Sequence, residues 1–230
     1  MSEMPTVSKR HFLIFLAIAA AVTGVGFQQS GGTGPRKDQL IAVYVSAGVL
    51  DWLLFFYCWR GVRAAGGTLR HLIGGRWPTL RDFLKDLVVA AAFWVAAGGM
   101  LWWLSRPGGL LNTPHESTIV AALLPRTPLQ IGVWIAVSLT AGFCEEFVFR
   151  GYVQRQLRAW SGNVLLGLAG QALVFGAMHA YQGVKQAALI VVYGLMFGAL
   201  AAWRKSLRPG MIAHAWEDVW SGWLSAILPR

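Results

Sequence analysis

Residues 131–150 read IGVWIAVSLTAGFCEEFVFR: fourteen residues without a charge, then Glu145 and Glu146, then three apolar residues and Arg150. An apolar run of this length is close to what a ~30 Å hydrocarbon core requires of a helix, roughly 17–25 residues. A charge at the bilayer centre costs at least ~2.5–3.5 kcal/mol on insertion scales, so acids at that depth face a cavity or a partner. The stretch therefore sets two expectations together. One is a helix that crosses a membrane, and the other is a polar interior that receives its carboxylates.

Outward from this span, placed at 129–149, six more apolar segments of comparable length lie near 12–28, 40–59, 86–104, 163–181, 184–203 and 209–228. The composition agrees, with 56% of the 230 residues hydrophobic and 13% charged, where a soluble domain carries about 25% charged residues. The expected fold is all-α: a polytopic transmembrane helical bundle of about seven spans, a single membrane domain over 1–230 with its active site inside the bundle, the site helices being those of 129–228. Residues 105–128 hold Pro107, Gly108, Gly109, Pro114, Pro125 and Pro128 and read as a surface loop. Residues 60–85 carry Arg60, Arg63, Arg70, Arg76, Arg81 and Lys85, with Leu69, Leu72 and Ile73 on an apolar side, and read as an interfacial basic segment.

The formal charge of +10 does not call for nucleic acid, because the basic residues stand in short clusters between apolar runs. The expected partner is the lipid bilayer. With seven spans, fourteen basic residues fall on the side of the N-terminus and six on the other, so the N-terminus is expected in the cytoplasm. A cleaved signal peptide is the competing reading of 12–28, but that run continues past Ala19, Ala20 and Ala21 for longer than an h-region of 7–15 residues. Cys58 and Cys144 show no pairing pattern, which excludes a disulfide framework.

Half of the ten acidic residues, Asp51, Glu145, Glu146, Glu217 and Asp218, lie inside apolar segments, while Glu3, Asp38, Asp82, Asp86 and Glu116 fall in loops or at interfaces. Asp51, alone in its segment, reads as a packing hydrogen bond to a neighbouring helix. The other four accompany the two histidines that also lie in apolar segments, in FCEEFVFR (143–150), FGAMH (175–179) and HAWED (214–218). Glu146 and Arg150 are four apart and share a helical face as a structural ion pair. Glu145 lies about 100° around the helix and is free for another partner. His214 and Asp218 also share a face. An unpaired glutamate in a dry site is suited to act as general base for water, and a histidine beside it holds that water or donates to the oxyanion of an attacked carbonyl. These are the parts of a peptidase.

The three stretches resemble the motifs of the intramembrane proteases of the CAAX-processing and bacteriocin-processing (CPBP, or Abi) family. Those motifs are a double glutamate followed by an arginine (Glu145, Glu146, Arg150), a phenylalanine four before a histidine (Phe175, His179), and a histidine four before an asparagine or aspartate (His214, Asp218). They occur in the family's order over roughly the last 90 residues, and the first 128 residues match only in being hydrophobic. The resemblance implies a helical membrane endopeptidase in which Glu145 activates water with help from His179, His214 and Asp218 stabilise the tetrahedral intermediate, and Phe175 lines the site. It implies as substrate a peptide or a prenylated, lipid-anchored protein, in CAAX-type or leader and sorting-peptide processing, and a multi-pass location in a bacterial plasma membrane. Position 218 is aspartate where asparagine is common. An amide donates to an oxyanion while an ionised aspartate only accepts, so Asp218 is either protonated or orients His214. For Glu217 the sequence offers only a pair with a neighbouring basic residue.

Two histidines and a glutamate are also a catalytic zinc set, so zinc held by Glu145, His179 and His214 is the alternative to a mechanism that requires no cofactor. HExxH is absent, since His115-Glu116 is followed by Ser117, Thr118 and Ile119, and the metal-free glutamate mechanism is the expectation. The second reading of function is a non-catalytic membrane protein, an immunity, scaffold or transport protein that retains the motifs. Straight spans would hold His179 roughly 15–20 Å from Glu145 and His214 at 1.5 Å per residue. Convergence therefore requires the fourth span to continue to about Leu157 as a long tilted helix, with the fifth entering deeper. Gly194 and Gly198 form a GxxxG read as close helix packing within the fold.

Overall fold

Helices begin where the chain supplies a side-chain acceptor for a free backbone N–H. Thr68, Thr79, Thr127 and Asn163 accept from His71, Asp82, Gln130 and Leu165, and Pro128 occupies the first turn after Thr127. Helices stop at glycines in the left-handed region, such as Gly74 (φ 103°) and Gly162 (φ 67°). The computed structural model describes residues 6–29, 34–112 and 116–227, and among these every regular element is helical.

In chain order the helices are α1 (Lys9–Gln29), α2 (Leu40–Ala64), α3 (Leu69–Ile73), α4 (Leu80–Ser105), α5 (Glu116–Leu123), α6 (Pro128–Glu145), α7 (Gln154–Ser161), α8 (Val164–Met178), α9 (Val184–Arg204) and α10 (Arg208–Ile227). A π-helical stretch, Glu146–Val153, joins α6 to α7. The result is one continuous helical run from Pro128 to Ser161, four residues past the expected end at Leu157. At 1.5 Å per residue such a run spans about 50 Å, well beyond a ~30 Å hydrocarbon core.

Each of the seven expected segments falls on a helix. Among the described residues five are long and apolar enough to cross a membrane: Lys9–Gln29, Lys37–Ala64, Leu80–Ser105, Pro128–Ser161 and Val184–Arg204. The chain is an integral membrane protein. Val164–Met178 is a shorter apolar helix, and α10, which carries His214, Glu217 and Asp218, is not among the five; residue 228, the expected end of its segment, lies outside the described residues.

Two differences from the sequence reading have local causes. Residues 105–128 are not loop throughout, because the short apolar run after Glu116 forms α5 and buries Ile119, although His115 lies outside the described residues. The basic segment 60–85 divides into the end of α2, the five-residue α3 and the start of α4, since Gly66, Gly74 and Gly75 take positive φ between them.

Helix α6 stands at the centre, packed by α2 on one side and α10 on the other, while α8 and α9 pair closely and α4 covers α10 and α9. Gly142 of α6 lies against the backbone of Ala215 in α10. At the α8 and α9 contact the Gly194 carbonyl accepts from Gln171 Nε2 (2.7 Å), and the Gly198 carbonyl accepts from Gln154 Nε2 of α7 (3.0 Å). Without side chains at 194 and 198, α9 approaches closely enough for glutamines to satisfy those carbonyls in the dry interior. Asp86, expected at an interface, is instead buried. It accepts from Arg204 Nη2 (3.0 Å) and Trp77 Nε1 (2.8 Å) and lies 3.0 Å from Arg208 Nε, clamping α4 to the turn between α9 and α10.

Candidate active site

Glu145 is the last residue of α6 and Glu146 the first of the π-helical stretch, all eight residues of which are buried. A π-turn is uncommon and concentrates at functional sites. Here the change of helical type falls between the two glutamates. Glu146 is enclosed, whereas the Glu145 side chain keeps 17% of its surface accessible and lines a cavity.

Glu146 is the hub of the enclosed side. Its Oε1 lies 3.0 Å from Arg150 Nη1, off the line of an N–H, so the contact is a close ion pair rather than an aligned hydrogen bond. The same oxygen lies 3.1 Å from His214 Nδ1. A carboxylate oxygen only accepts, so His214 carries a proton on Nδ1. The Arg150 guanidinium sits 4.5 Å from the Phe175 ring centroid and 5.1 Å from that of Phe197, and the negative ring faces stabilise a cation cut off from water. Phe175 therefore acts on the arginine, and Phe197 is a site residue that the sequence reading missed. Its only sequence signal is its place between Gly194 and Gly198.

His214 Nε2 faces the cavity, 3.6 Å from Glu145 Oε2 and 3.8 Å from Asp218 Oδ2. These are charge contacts longer than hydrogen bonds. His179 caps the end of α8 and its Nδ1 lies 2.8 Å from the Phe175 carbonyl oxygen. That carbonyl only accepts, so Nδ1 holds a proton, and Nε2 is left for another partner.

Asp51, Glu145, His179, His214, Glu217 and Asp218 all line one cavity of about 1230 Å³, which extends to Gln29, Pro35, Leu124 and Gln182. The separation of His179 required by straight spans is thus absent, because the α8 helix is only fifteen residues long and ends at His179. Two readings are corrected. Asp51 makes no packing hydrogen bond among the described residues; it stands in the cavity wall instead. Among the described residues Glu217 pairs with no basic residue: the Trp94 indole Nε1 donates to its Oε2 from α4. Trp134 Nε1 donates to the Asp218 backbone oxygen (2.6 Å) and ties α10 to α6 at the level of the site.

Among the described residues no three His, Cys, Asp or Glu side chains are grouped so as to hold a metal ion. The His179 Nδ1 contact with a backbone oxygen fixes the ring and leaves Nε2 as the nitrogen that can meet another partner.

No curated protein and no solved structure matches the chain. Residues 127–220 do match one family, described as Type II CAAX prenyl endopeptidase Rce1-like, and every residue of the three motifs lies within that stretch. The motif-bearing segment of this membrane protein is thus similar to the Rce1-like endopeptidases, members of the CAAX-processing and bacteriocin-processing family whose motifs it resembles.

Proposed function

We propose that the protein is an intramembrane endopeptidase that hydrolyses a peptide bond of a membrane-presented substrate with water activated by Glu145, without a metal. The single observation carrying this reading is that Glu145, His179, His214 and Asp218, from three helices, line the same cavity. Glu145 accepts one proton of the attacking water, and the free Nε2 of His179 accepts the hydrogen bond of the other. The resulting hydroxide adds to the carbonyl carbon. His214, protonated on both nitrogens, donates Nε2–H to the oxyanion while Glu146 holds its Nδ1–H. The buried pair of Glu146 and Arg150 fixes the imidazole from below, and Asp218 orients it from the side. The substrate is a prenylated protein ending in a CAAX tetrapeptide or an exported leader or sorting peptide.

The test is Glu145→Gln, purified in detergent and assayed beside the wild type on an S-farnesylated CAAX peptide and on a leader-peptide library. The expected outcome is a loss of about 10²–10⁴-fold in kcat, the range for a general base. Retained hydrolysis in the variant removes Glu145 as the base. Strong chelators are expected to leave the wild-type rate unchanged, and inhibition reversed by added zinc overturns the metal-free mechanism.

A further inference from the structure

Asp51 lies outside the stretch matched to the family, on a helix that carries no motif. Its position follows from the register of α2 on α6. Tyr44 meets Trp134 (ring centroids 5.2 Å apart), Gly48 faces Val137, and Phe55 meets Phe143 (5.3 Å) and Phe147 (4.7 Å). Each pairing joins residues about 90 apart in sequence, so the two helices run side by side in the same direction. Asp51 accordingly stands at the level of Ala141, about one helical turn from that of Glu145, and both carboxyl groups line the one cavity. Glu145, His214 and Asp218 are its electrostatic neighbours, together with Cys144 and Tyr181.

A hydrogen-bond account makes Asp51 unusual. Among the described residues no N–H or O–H reaches its carboxyl, and no lysine or arginine lines the cavity. A wall of Leu50, Leu54 and Val148 without a donor suits a carboxylic acid, itself a donor, better than an anion. Two carboxyl groups sharing one dry site divide the acid and base roles between them. The glutamate mechanism needs a proton on the departing nitrogen, and Asp51 is the unpartnered carboxyl beside the base.

We propose that Asp51 is the general acid of the reaction, donating its proton to the leaving amine. The assignment rests on the peptidase reading above. In the first step Glu145 takes a proton from water, the C–O bond forms and the carbonyl electrons pass to the oxyanion. In the second the oxyanion collapses, the C–N bond breaks, its electron pair goes to nitrogen and the Asp51 carboxyl supplies the proton. Transfer of the proton held by Glu145 to the Asp51 carboxylate restores both groups, and the net reaction is water plus amide giving acid plus amine.

The test compares two S-farnesylated CAAX peptides that differ only in the scissile bond, an amide in one and a thioester in the other. A thiolate leaves without a proton, so only the amide needs the acid. Asp51→Asn is expected to lower kcat on the amide by about 10²-fold or more, with KM unchanged and the thioester rate within about tenfold of wild type. Asp51→Glu, which keeps a donor, is expected to recover amide cleavage above the Asn variant. Equal losses on both substrates, or wild-type rates on both, overturn the assignment. Asp51→Ser is measured in parallel, so that the ratio of amide to thioester rates decides the matter if the Asn variant does not fold. Glu145→Gln should lose both substrates. If the wild type cleaves neither of these nor any peptide of the leader library, the peptidase reading itself fails, a result distinct from an unchanged ratio in the Asp51 variants.

Discussion

Glu145 and Glu146 are chain neighbours with opposite surroundings, and the difference decides what each substitution does. Glu146→Gln leaves the Arg150 guanidinium enclosed without a counter-charge. Breaking a buried pair in this way costs about 3–5 kcal/mol, to be read as a large fall in the thermal midpoint in detergent. Glu145 keeps contact with the cavity and has no ion-pair partner to orphan among the described basic residues other than His214, so Glu145→Gln is expected to melt within a few degrees of wild type while losing activity. A shared fall in stability would show that Glu145 is structural. Arg150→Lys is a third case: it keeps the charge but loses the planar group held between Phe175 and Phe197, and it too should be destabilised. The spacing of four between Glu146 and Arg150 was legible in the sequence. The aromatic partner from α9 was not, because an apolar residue in an apolar helix carries no mark of the cation it will cover.

At the scale of elements, the site depends on how closely α6 and α10 approach. A Cβ at Gly142 would stand 2.8 Å from the Ala215 nitrogen and 2.9 Å from its Cβ, one residue from His214. Gly142→Val should therefore push α10 away, at a cost of about 1–3 kcal/mol for overpacking, and separate His214 from Glu146. The expected readout is a loss of hydrolysis larger than the loss of stability explains; wild-type kcat in this variant would refute the dependence on helix spacing. The clamp at Asp86 works differently, since Arg204 and Arg208 keep some contact with solvent. Asp86→Ala should cost about 1–3 kcal/mol through lost charge-assisted bonds, with activity per folded molecule retained. The sequence marked the apolar lengths of these helices. It did not mark the π-helical stretch, because a change from i→i+4 to i→i+5 bonding is favoured by the tertiary contacts of the widened turn rather than by local propensity.

For the whole molecule the fold and the charge distribution together set which face of the membrane the cavity serves. The cavity residues Gln29, Pro35, Leu124 and Gln182 lie at the ends of segments opposite the N-terminus of α1. With the enclosed Arg150 set aside, thirteen basic residues remain on the N-terminal side against six on the other, and this end of the cavity is expected to face away from the cytoplasm. The native Cys58 and Cys144 are buried, so single reporter cysteines are interpretable. A membrane-impermeant maleimide applied to intact cells should label Gln182→Cys and spare Lys9→Cys. The reverse pattern would place the cavity on the cytoplasmic side and direct the substrate search to prenylated cytoplasmic proteins rather than exported peptides.

The sequence by itself determined the class of fold and the kinds of side chain at the site. Hydrophobic lengths dictate membrane helices whatever they pack against, and carboxylates at membrane depth demand a polar interior. The tertiary structure alone decided how those groups divide their work. Helix register placed Asp51 beside Glu145, and a short α8 brought His179 to the cavity. Such choices arise from contacts between residues tens of positions apart, where the periodicity of a single helix carries no information.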